Sequence, residues 1–307
     1  MTCLRYLWLT LLFVVECIHV CGQPSDGVPL FSFGLVADVQ YADAEQWGKR
    51  DYRGSLKRLE AALEILNSHH LAFIVHAGDL IDRDYRSFQA PMSIFGRSKA
   101  PVHFVIGNHE FAVGDSLKKS VRKKLNNPRG YYAFREGKMQ FILVDAMDVS
   151  LLGSQKNSRD FQRAQRIHKD LKEAGANNAH EWNGAMGARQ LKWLKRKLRR
   201  ADRRDYKAVL FSHLPLLPEN GLQLWNNREV VSLLNAHPSV VAFISGHHHE
   251  GGYVNVDDIH HLTLKGLVEA TASTACAVAD VFPDRIVVKG FGDQKSYTLW
   301  FPGRQTQ

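Results

Sequence analysis

The sequence contains few cysteines, and their positions exclude two common kinds of protein. Three of the four, Cys3, Cys17 and Cys21, fall within the first 22 residues, which leaves Cys276 alone in the rest of the chain. One thiol can form neither an intrachain disulfide nor a thiolate metal site, so we expect neither a disulfide-stapled fold nor a cysteine-built zinc site. We expect Cys276, which lies among alanines and a valine, to be a small buried hydrophobic residue.

Long hydrophobic runs, repeats and low-complexity tracts are also lacking. The apolar run at residues 6–15 follows Arg5 and is too short to span a bilayer comfortably. A basic start, about ten apolar residues and a small-residue exit are typical of a secretory signal peptide. We therefore expect residues 1–22 to be a signal peptide of an exported protein, and residues 23–307 to form one domain without a stable membrane anchor. The alternative is a weak anchor or a misassigned start codon on a cytoplasmic protein.

Acidic residues are outnumbered by basic ones. The chain has 31 Asp and Glu against 40 Lys and Arg, which gives a net charge of +9. A basic surface favours anionic ligands such as nucleotides, phosphates, nucleic acid or acidic membranes, but it names no substrate. Nine cations are concentrated in residues 189–204, where interspersed leucines indicate the solvated face of one helix. We do not expect nucleic-acid binding, because no stacking module or recognition motif accompanies this run.

Five short apolar runs each end in residues that can bind metal ions. Such runs are typical of buried strands, and a buried strand seldom ends in carboxylates unless a cation or a hydrogen-bond partner lies there. The residues that follow the five runs are Asp38 and Gln40; Asp79 and Asp82; Asn108 and His109; His213; and His247 and His249. The pattern therefore predicts a metal site assembled from strand ends.

Strand-like and helix-like patterns alternate through the first two thirds of the chain, which predicts an α/β fold. Helical periodicity is present at residues 54–67, 88–97, 115–125, 159–174 and 187–200. Glu136-Gly137-Lys138 predicts a hairpin, and residues 253–300 are rich in strand patterns. Residues 148–182 are polar and irregular, and we interpret them as a surface excursion whose role is open.

The motifs Asp38-x-Gln40, Gly78-Asp79-x-x-Asp82, Gly107-Asn108-His109-Glu110, Ser212-His213 and Gly246-His247-x-His249 resemble those of the calcineurin-like metallophosphoesterases. The resemblance implies a four-layer sandwich, in which two mixed β-sheets pack face to face and are flanked by helices. It also implies two divalent metal ions. Asp79 would bridge them, with Asp38, Gln40 and His249 completing one site, and Asn108, His213 and His247 the other.

The resemblance also implies how such a site acts. Two cations about 3.5–4 Å apart can bind a phosphoryl oxygen and hold a hydroxide for in-line attack. His109 would protonate the leaving oxygen or stabilise its charge, and Asp82 would fix the His109 ring. Taken alone, an Asp after a strand is more often a helix cap than a ligand. His248 and the histidines outside the motifs are interpreted as structural or surface residues.

Two features of the sequence indicate which metal the site would bind. Gln40 occupies a position where most members have His, and no tyrosine follows Asp79 as in the purple acid phosphatases. These features favour exchangeable Mn(II) over a ferric centre, with Mg, Fe, Zn and Co as alternatives.

Further segments are similar to one branch, the manganese-dependent ADP-ribose/CDP-alcohol diphosphatases. They are residues 37–43, 51–56, 182–187, 224–226 and 247–253. The branch implies hydrolysis of the pyrophosphate of ADP-ribose or of CDP-alcohols such as CDP-choline, which gives a nucleoside monophosphate and a phosphorylated partner. A small-molecule nucleotide is then the expected ligand, and a monomer is the expected state.

Three residues are candidates for substrate binding. Arg53 could pair with the distal phosphate. Asn183 begins a glycine-containing turn before a helix, where free backbone N–H groups could bind an anion. Trp225 could stack on a base. The alternatives are a solvent-exposed helix start, an ordinary helix entry and core packing, respectively.

Two other functions remain open from the sequence. The first is a cyclic-nucleotide phosphodiesterase or general phosphatase on the same scaffold. The second is a non-catalytic binding scaffold, which is disfavoured because every implied ligand position and His109 are intact.

Overall fold

The computed structural model describes residues 27–301, so the predicted signal peptide at residues 1–22 lies outside the described part. Within residues 27–301 the α-helices are α1 (Gly54–Asn67), α2 (Gln89–Phe95), α3 (Lys118–Lys124), α4 (Arg159–Glu173), α5 (Ala188–Arg203) and α6 (Asn227–Asn235). The strands are β1 (Phe31–Val36), β2 (Phe73–His76), β3 (Val102–Phe104), β4 (Tyr132–Glu136), β5 (Met139–Leu143), β6 (Val149–Ser150), β7 (Gly184–Ala185), β8 (Lys207–Phe211), β9 (Val240–Ser245), β10 (Gly252–Val256), β11 (Ile259–Thr263), β12 (Ala275–Val281), β13 (Arg285–Gly292) and β14 (Tyr297–Trp300).

Twelve of these strands form two six-stranded sheets. The first has the order β14-β13-β12-β1-β2-β3, and the second has the order β10-β11-β9-β8-β5-β4. Both sheets are mixed: β1, β2 and β3 run parallel, as do β5, β8 and β9, while the outer pairs β12–β13 and β4–β5 are antiparallel. This arrangement confirms the predicted α/β sandwich.

The core between the two sheets is built by alternation along the strands. Side chains such as Phe33 and Leu35 of β1 pack with Phe141 of β5 and Phe211 of β8 in one buried cluster. The intervening residues point to the outer faces, where a second cluster packs against the helices. Burial on both faces explains why the central strands read as continuous apolar runs in the sequence.

Helices cover the outer faces largely where the sequence predicts them. The apolar stripe Leu59, Leu63 and Leu66 of α1 is buried, and α1 has the predicted bounds. α4 begins after Ser158, whose hydroxyl oxygen accepts a hydrogen bond from the Phe161 N–H at 3.1 Å. Two predicted helices are shorter than expected. Residues 115–117, predicted as the start of α3, form a separate 3-10 turn. α2 begins after a 3-10 turn that includes Phe88, and it ends at Phe95, before the predicted end at residue 97. In the part of the chain that the structure describes, no helix is long and apolar enough to cross a membrane.

Parallel strand order determines where the site lies. β1, β2 and β3 of the first sheet and β8 and β9 of the second all end at one edge of the sandwich. The loops that follow these five strands are the loops that carry the predicted ligands. The two sheets therefore supply residues to a common site.

Candidate metal centre

Four predicted ligands meet at the side chain of His213. Its Nε2 lies 3.0 Å from Asp79 Oδ2, 3.1 Å from Asn108 Oδ1 and 3.2 Å from His247 Nδ1. Asp79 and His213 are completely buried. Asp79, His213 and His247 offer ligand atoms that all lie within 4.8 Å of one another.

The other three predicted ligands form a second group that also reaches the Asp79 carboxylate. Gln40 Nε2 is 3.0 Å from Asp79 Oδ2 and 3.0 Å from His249 Nε2. His249 Nε2 is in turn 3.5 Å from Asp38 Oδ1. The Asp79 carboxylate therefore contacts both groups, which is the position that a bridging ligand requires.

The ligand atoms of this cluster do not all find hydrogen-bond partners among themselves, and their chemistry suits divalent cations. Gln40 Oε1 and His247 Nε2 are buried without a hydrogen-bond partner among residues 27–301. The amide oxygen and nitrogen of Gln40 are assigned only by their hydrogen bonds, and a 180° turn would place Oε1 beside Asp79 and His249. Carboxylate, amide and imidazole donors suit Mn, Fe, Zn, Co or Mg. The residues that would hold two such ions are the seven that the sequence predicts.

Electrostatics support the same reading. Burial lowers the pKa of His213, but the Asp79 carboxylate outweighs burial and raises it to about 10. Burial also lowers the pKa of His249, but the carboxylates of Asp38 and Glu269 outweigh burial and raise this pKa to about 9. Burial disfavours the charged form of Asp79, yet His213 and His109 hold its pKa well below its usual range. The buried carboxylates thus draw positive charge to this point, and bound cations would displace the protons.

The backbone at the ligands is held in an uncommon conformation. Asp38, Gln40, Asp79 and His247 have φ of 54°, 43°, 57° and 70°. Residues other than glycine rarely adopt the left-handed region, and its strain is typically found at functional sites. Gly107 is required here, because a Cβ at this position would collide with the Asp79 carboxylate.

A second layer of contacts orients the candidate ligands. His213 Nδ1 lies 3.0 Å from the Ala77 carbonyl oxygen, and His249 Nδ1 lies 2.9 Å from Glu269 Oε1. A proton on each Nδ1 leaves the Nε2 lone pair facing the centre. The sequence does not reveal Glu269, because it follows β11 by a turn that carries no recognisable motif.

Glu110 is a second residue that the sequence analysis leaves without a role. Its buried carboxylate accepts hydrogen bonds from the backbone N–H groups of Asp79 at 3.1 Å, of Gly107 at 2.8 Å and of Leu80. It therefore joins the loop after β2 to the loop after β3. Its position next to Asn108 and His109 was the only available signal.

The two predicted catalytic residues are in contact. His109 Nδ1 lies 2.7 Å from Asp82 Oδ1, and His109 Nε2 lies 4.0 Å from Asp79 Oδ2. The backbone N–H of His109 also donates to Asp79 Oδ1 at 2.8 Å. Burial acts against the charged ring, but Asp79 and Asp82 prevail and raise the pKa of His109. The ring is therefore fixed, with one nitrogen directed to the centre.

A cavity of about 580 Å³ opens above the centre. Gln40, Asn108 and His109 line it on one side, and Trp47, Trp182 and Leu222 add apolar wall. Trp47 and Trp182 are two of the few large hydrophobic residues that are exposed in residues 27–301. Trp182 stacks on His180 with ring centroids 4.5 Å apart.

Arg50 is the guanidinium that lines this cavity. Its Nε is 3.6 Å from Glu269 Oε1, and its side chain is 26% exposed. It lies over the Trp47 ring at 5.7 Å. Sequence reasoning selected Arg53 instead, and the charged segment at residues 43–53 contained no pattern that separates the two.

The structure does not bring the three predicted substrate-binding residues to the cavity. Arg53 is exposed and pairs with Asp43 and Glu45. The Asn183 side chain is fully buried, and its Nδ2 donates to the carbonyl oxygens of Asn178 and Gly221. Trp225 is buried, donates from Nε1 to the His180 carbonyl oxygen at 3.1 Å and stacks on His168. The placements of Arg53 and Trp225 match their structural alternatives. Asn183 differs from its alternative, because it lies directly before β7 and not at the start of α5.

Comparisons with known proteins agree with this architecture. The profile of the calcineurin-like phosphoesterases matches residues 31–251, and the chain belongs to this family. The chain is 32% identical to a mouse protein named manganese-dependent ADP-ribose/CDP-alcohol diphosphatase, over 89% of this chain and 94% of that protein. The human protein of the same name is 32% identical, over 86% and 90% of the two chains.

A solved structure extends the likeness to the fold. It is a dimetal phosphatase from Danio rerio, which superimposes with a TM-score of 0.82 at 30% identity and covers 89% of this chain and 99% of that one.

Proposed function

We propose that this protein is a manganese-dependent hydrolase that cleaves the pyrophosphate bond of ADP-ribose and of CDP-alcohols such as CDP-choline. The products are a nucleoside monophosphate and a phosphorylated partner. The observation that carries the proposal is a cavity with the Asp79-centred cluster at its base and two exposed tryptophan rings in its wall. Relatives at 32% identity carry the name of this activity.

The residues proposed to hold the metals are Asp38, Gln40, Asp79 and His249 on one side and Asp79, Asn108, His213 and His247 on the other. When bound, two divalent cations supply a Lewis acid that activates water and neutralises phosphoryl charge. The protein fixes the donor atoms through Ala77, Glu269 and Glu110. It thereby orders the site before substrate arrives.

Other residues of the cavity act on the substrate itself. The His109 ring, held through Nδ1 by Asp82, presents Nε2 to the leaving phosphate oxygen and donates a hydrogen bond or a proton to it. Arg50 offers guanidinium N–H groups to the pyrophosphate oxygens. Trp47 and Trp182 provide flat apolar surface for the nucleoside base.

A substrate panel tests this proposal. The purified full-length chain with Mn(II) is expected to release AMP from ADP-ribose and CMP from CDP-choline. His109→Ala is expected to lower kcat by about 100-fold or more while binding the same amount of manganese, and the exposed His70→Ala serves as the control. Faster turnover of a cyclic nucleotide or of p-nitrophenyl phosphate would assign the alternative enzyme class. If the protein shows no turnover, and if its metal content is sub-stoichiometric and does not rise when Mn(II) is added, the protein is a binding scaffold.

We also propose that the chain is exported and that residues 1–22 are removed as a signal peptide. The support is the basic and then apolar pattern of the first 22 residues. Expression in a secreting cell, followed by mass spectrometry of the N-terminus in medium and in lysate, tests it. Intact Met1 on a protein that stays in the lysate would overturn it.

A further inference from the structure

Among the helices of the described chain, α5 has the largest net positive charge. This helix carries eight cations and a single acid, Asp202. Asp202 is already engaged, since its carboxylate contacts His237 Nδ1 and accepts the Ser239 N–H. Among residues 27–301, no cation of α5 forms an ion pair.

Six of these cations form a stripe, which we call the α5 stripe. It consists of the exposed residues Arg189, Lys192, Arg196, Arg199, Arg200 and Arg203. At 3.6 residues per turn they cover about 100° of the circumference, and at 1.5 Å per residue they extend over about 21 Å. The buried residues Gln190, Leu194, Leu198 and Ala201 occupy the opposite face. The stripe is therefore a linear array of free positive charges.

The stripe is unfavourable for the isolated helix. Lys192 and Arg196, Arg196 and Arg200, and Arg199 and Arg203 are like-charged pairs at i,i+4, and such pairs destabilise a helix. α4 offers a contrast within the same chain. It carries five cations with three acids, and Lys169 pairs with Glu173 at 3.6 Å. A polyanion bound to the stripe would relieve the repulsion.

The chemistry of α5 selects among anionic partners. A helix that adsorbs to membranes has apolar side chains on its exposed face, but the leucines of α5 are buried or half-buried and Trp193 packs on Tyr131. Base recognition requires exposed amides or aromatic rings. The only amide of α5, Gln190, is buried against Asp145. What remains is recognition of a charged chain by charge alone.

We propose that the α5 stripe binds a linear sulfated polysaccharide of the heparin type. Clustered Lys and Arg in a short segment are typical of such sites, and the arginine fork presents several N–H donors to a tetrahedral oxyanion. The export expected from residues 1–22 would bring the protein to the compartment where such chains occur. The site is separate from the metal centre and does not rest on the enzymatic proposal.

The test measures the Kd of the full-length protein for a fluorescent heparin octasaccharide at 150 mM salt. Arg196→Gln/Arg199→Gln/Arg203→Gln removes three charges from the stripe. Arg159→Gln/Arg163→Gln/Arg166→Gln removes three exposed charges from α4 and is the matched control. We expect the first variant to raise Kd at least 10-fold and the second less than 3-fold, and we expect N- and O-desulfated heparin not to bind.

Several results would overturn the proposal. Equal weakening by the two triple variants would show that only net charge matters. Tighter binding of single-stranded DNA of equal charge, or of vesicles with 30% phosphatidylserine, would assign the stripe to a phosphate-bearing partner. Thermal unfolding verifies that both variants are folded. If one is not, Arg199→Gln against Arg163→Gln repeats the comparison with one charge each, and an unchanged Kd for Arg199→Gln counts against the proposal.

Discussion

His76 lies at the end of β2 with both ring nitrogens buried and without a hydrogen-bond partner among residues 27–301. The rings of Phe95 and Phe104 flank it at 5.8 and 5.9 Å. Burial lowers the pKa of His76 to about 3. The folded protein therefore holds this imidazole neutral at pH values where the unfolded chain protonates it.

His76 predicts a pH dependence of stability. Because its folded pKa is below its unfolded value of about 6.5, unfolding takes up a proton between these values, and stability falls as pH falls from about 6.5 towards 3. For each unit by which the pH falls, the free energy of unfolding of the His76→Leu variant should decrease by up to about 1.4 kcal/mol less than that of the parent. Urea unfolding of the metal-free proteins at pH 7 and pH 5 measures this difference. Equal slopes for parent, His76→Leu and the exposed control His70→Leu would contradict the prediction.

Glu110 is the residue that fixes the loop of Asp79. In Glu110→Gln, the amide cannot accept from all three N–H groups, and at least one buried donor faces another donor. Each lost partner of a buried group costs about 1–3 kcal/mol. We expect the free energy of unfolding to fall by about 2–3 kcal/mol and the Mn(II) affinity, measured by calorimetry, to fall as well.

The control for Glu110 is Glu136→Gln, which removes an exposed carboxylate far from the strand ends that carry the ligands. If Glu110→Gln binds Mn(II) as tightly as this control does, the carboxylate does not position Asp79.

At the scale of the elements, the sequence predicts structures that leave a local pattern, and it does not predict structures that depend on long-range contacts. β1, β2, β8 and β9 are buried on both faces, so their apolar runs and the polar residues after them are visible in the sequence. The loop at residues 43–53 has no such pattern. It contacts residues about 200 positions away, with Lys49 lying 3.1 Å from Glu250 and Arg50 lying 3.6 Å from Glu269. The clustering of the candidate ligands was therefore predictable, whereas the cavity wall was not.

The cavity wall carries its own prediction. Stacking of a base on an aromatic side chain contributes about 1–3 kcal/mol. Trp47→Ala and Trp182→Ala should each raise KM for ADP-ribose by about 10-fold and leave kcat within about 3-fold, since neither residue is a candidate metal ligand or the candidate acid His109. Steady-state kinetics of the Mn(II)-loaded enzyme measures both values.

Tyr253→Ala, which removes another exposed ring that does not line the cavity, is the control for the two tryptophans. A lower kcat with unchanged KM in the tryptophan variants would mean that they order the centre and do not hold the base.

On the scale of the whole molecule, the candidate metal centre joins the two sheets. Asp38, Asp79 and Asn108 follow strands of the first sheet, and His213, His247 and His249 follow strands of the second. The core between the sheets is apolar, and at this edge the centre connects them through polar side chains, with Asp79 beside His213 and Asp38 beside the His247 N–H. Ions held here would bind the folded state and not the unfolded chain.

Mn(II) should therefore stabilise the folded protein by linkage. At a free concentration 100 times Kd, the gain for one site is about 2.7 kcal/mol, and Asp79→Ala should abolish it. Thermal unfolding with and without Mn(II) measures the shift, with the exposed acid Glu64→Ala as the control. A parent protein with the same melting temperature in EDTA and in Mn(II) would contradict a structural contribution of the metals.

The spacing of the candidate ligands along the chain has a consequence for biosynthesis. The first, Asp38, and the last, His249, are separated by most of the polypeptide. β1, which leads to Asp38, lies between β2 and β12 in the first sheet, and its Phe31 pairs with Val281 of β12. The complete set of candidate ligands thus exists only after residue 249 has been synthesised. Both manganese ions can therefore be bound only at a late stage of synthesis or after it.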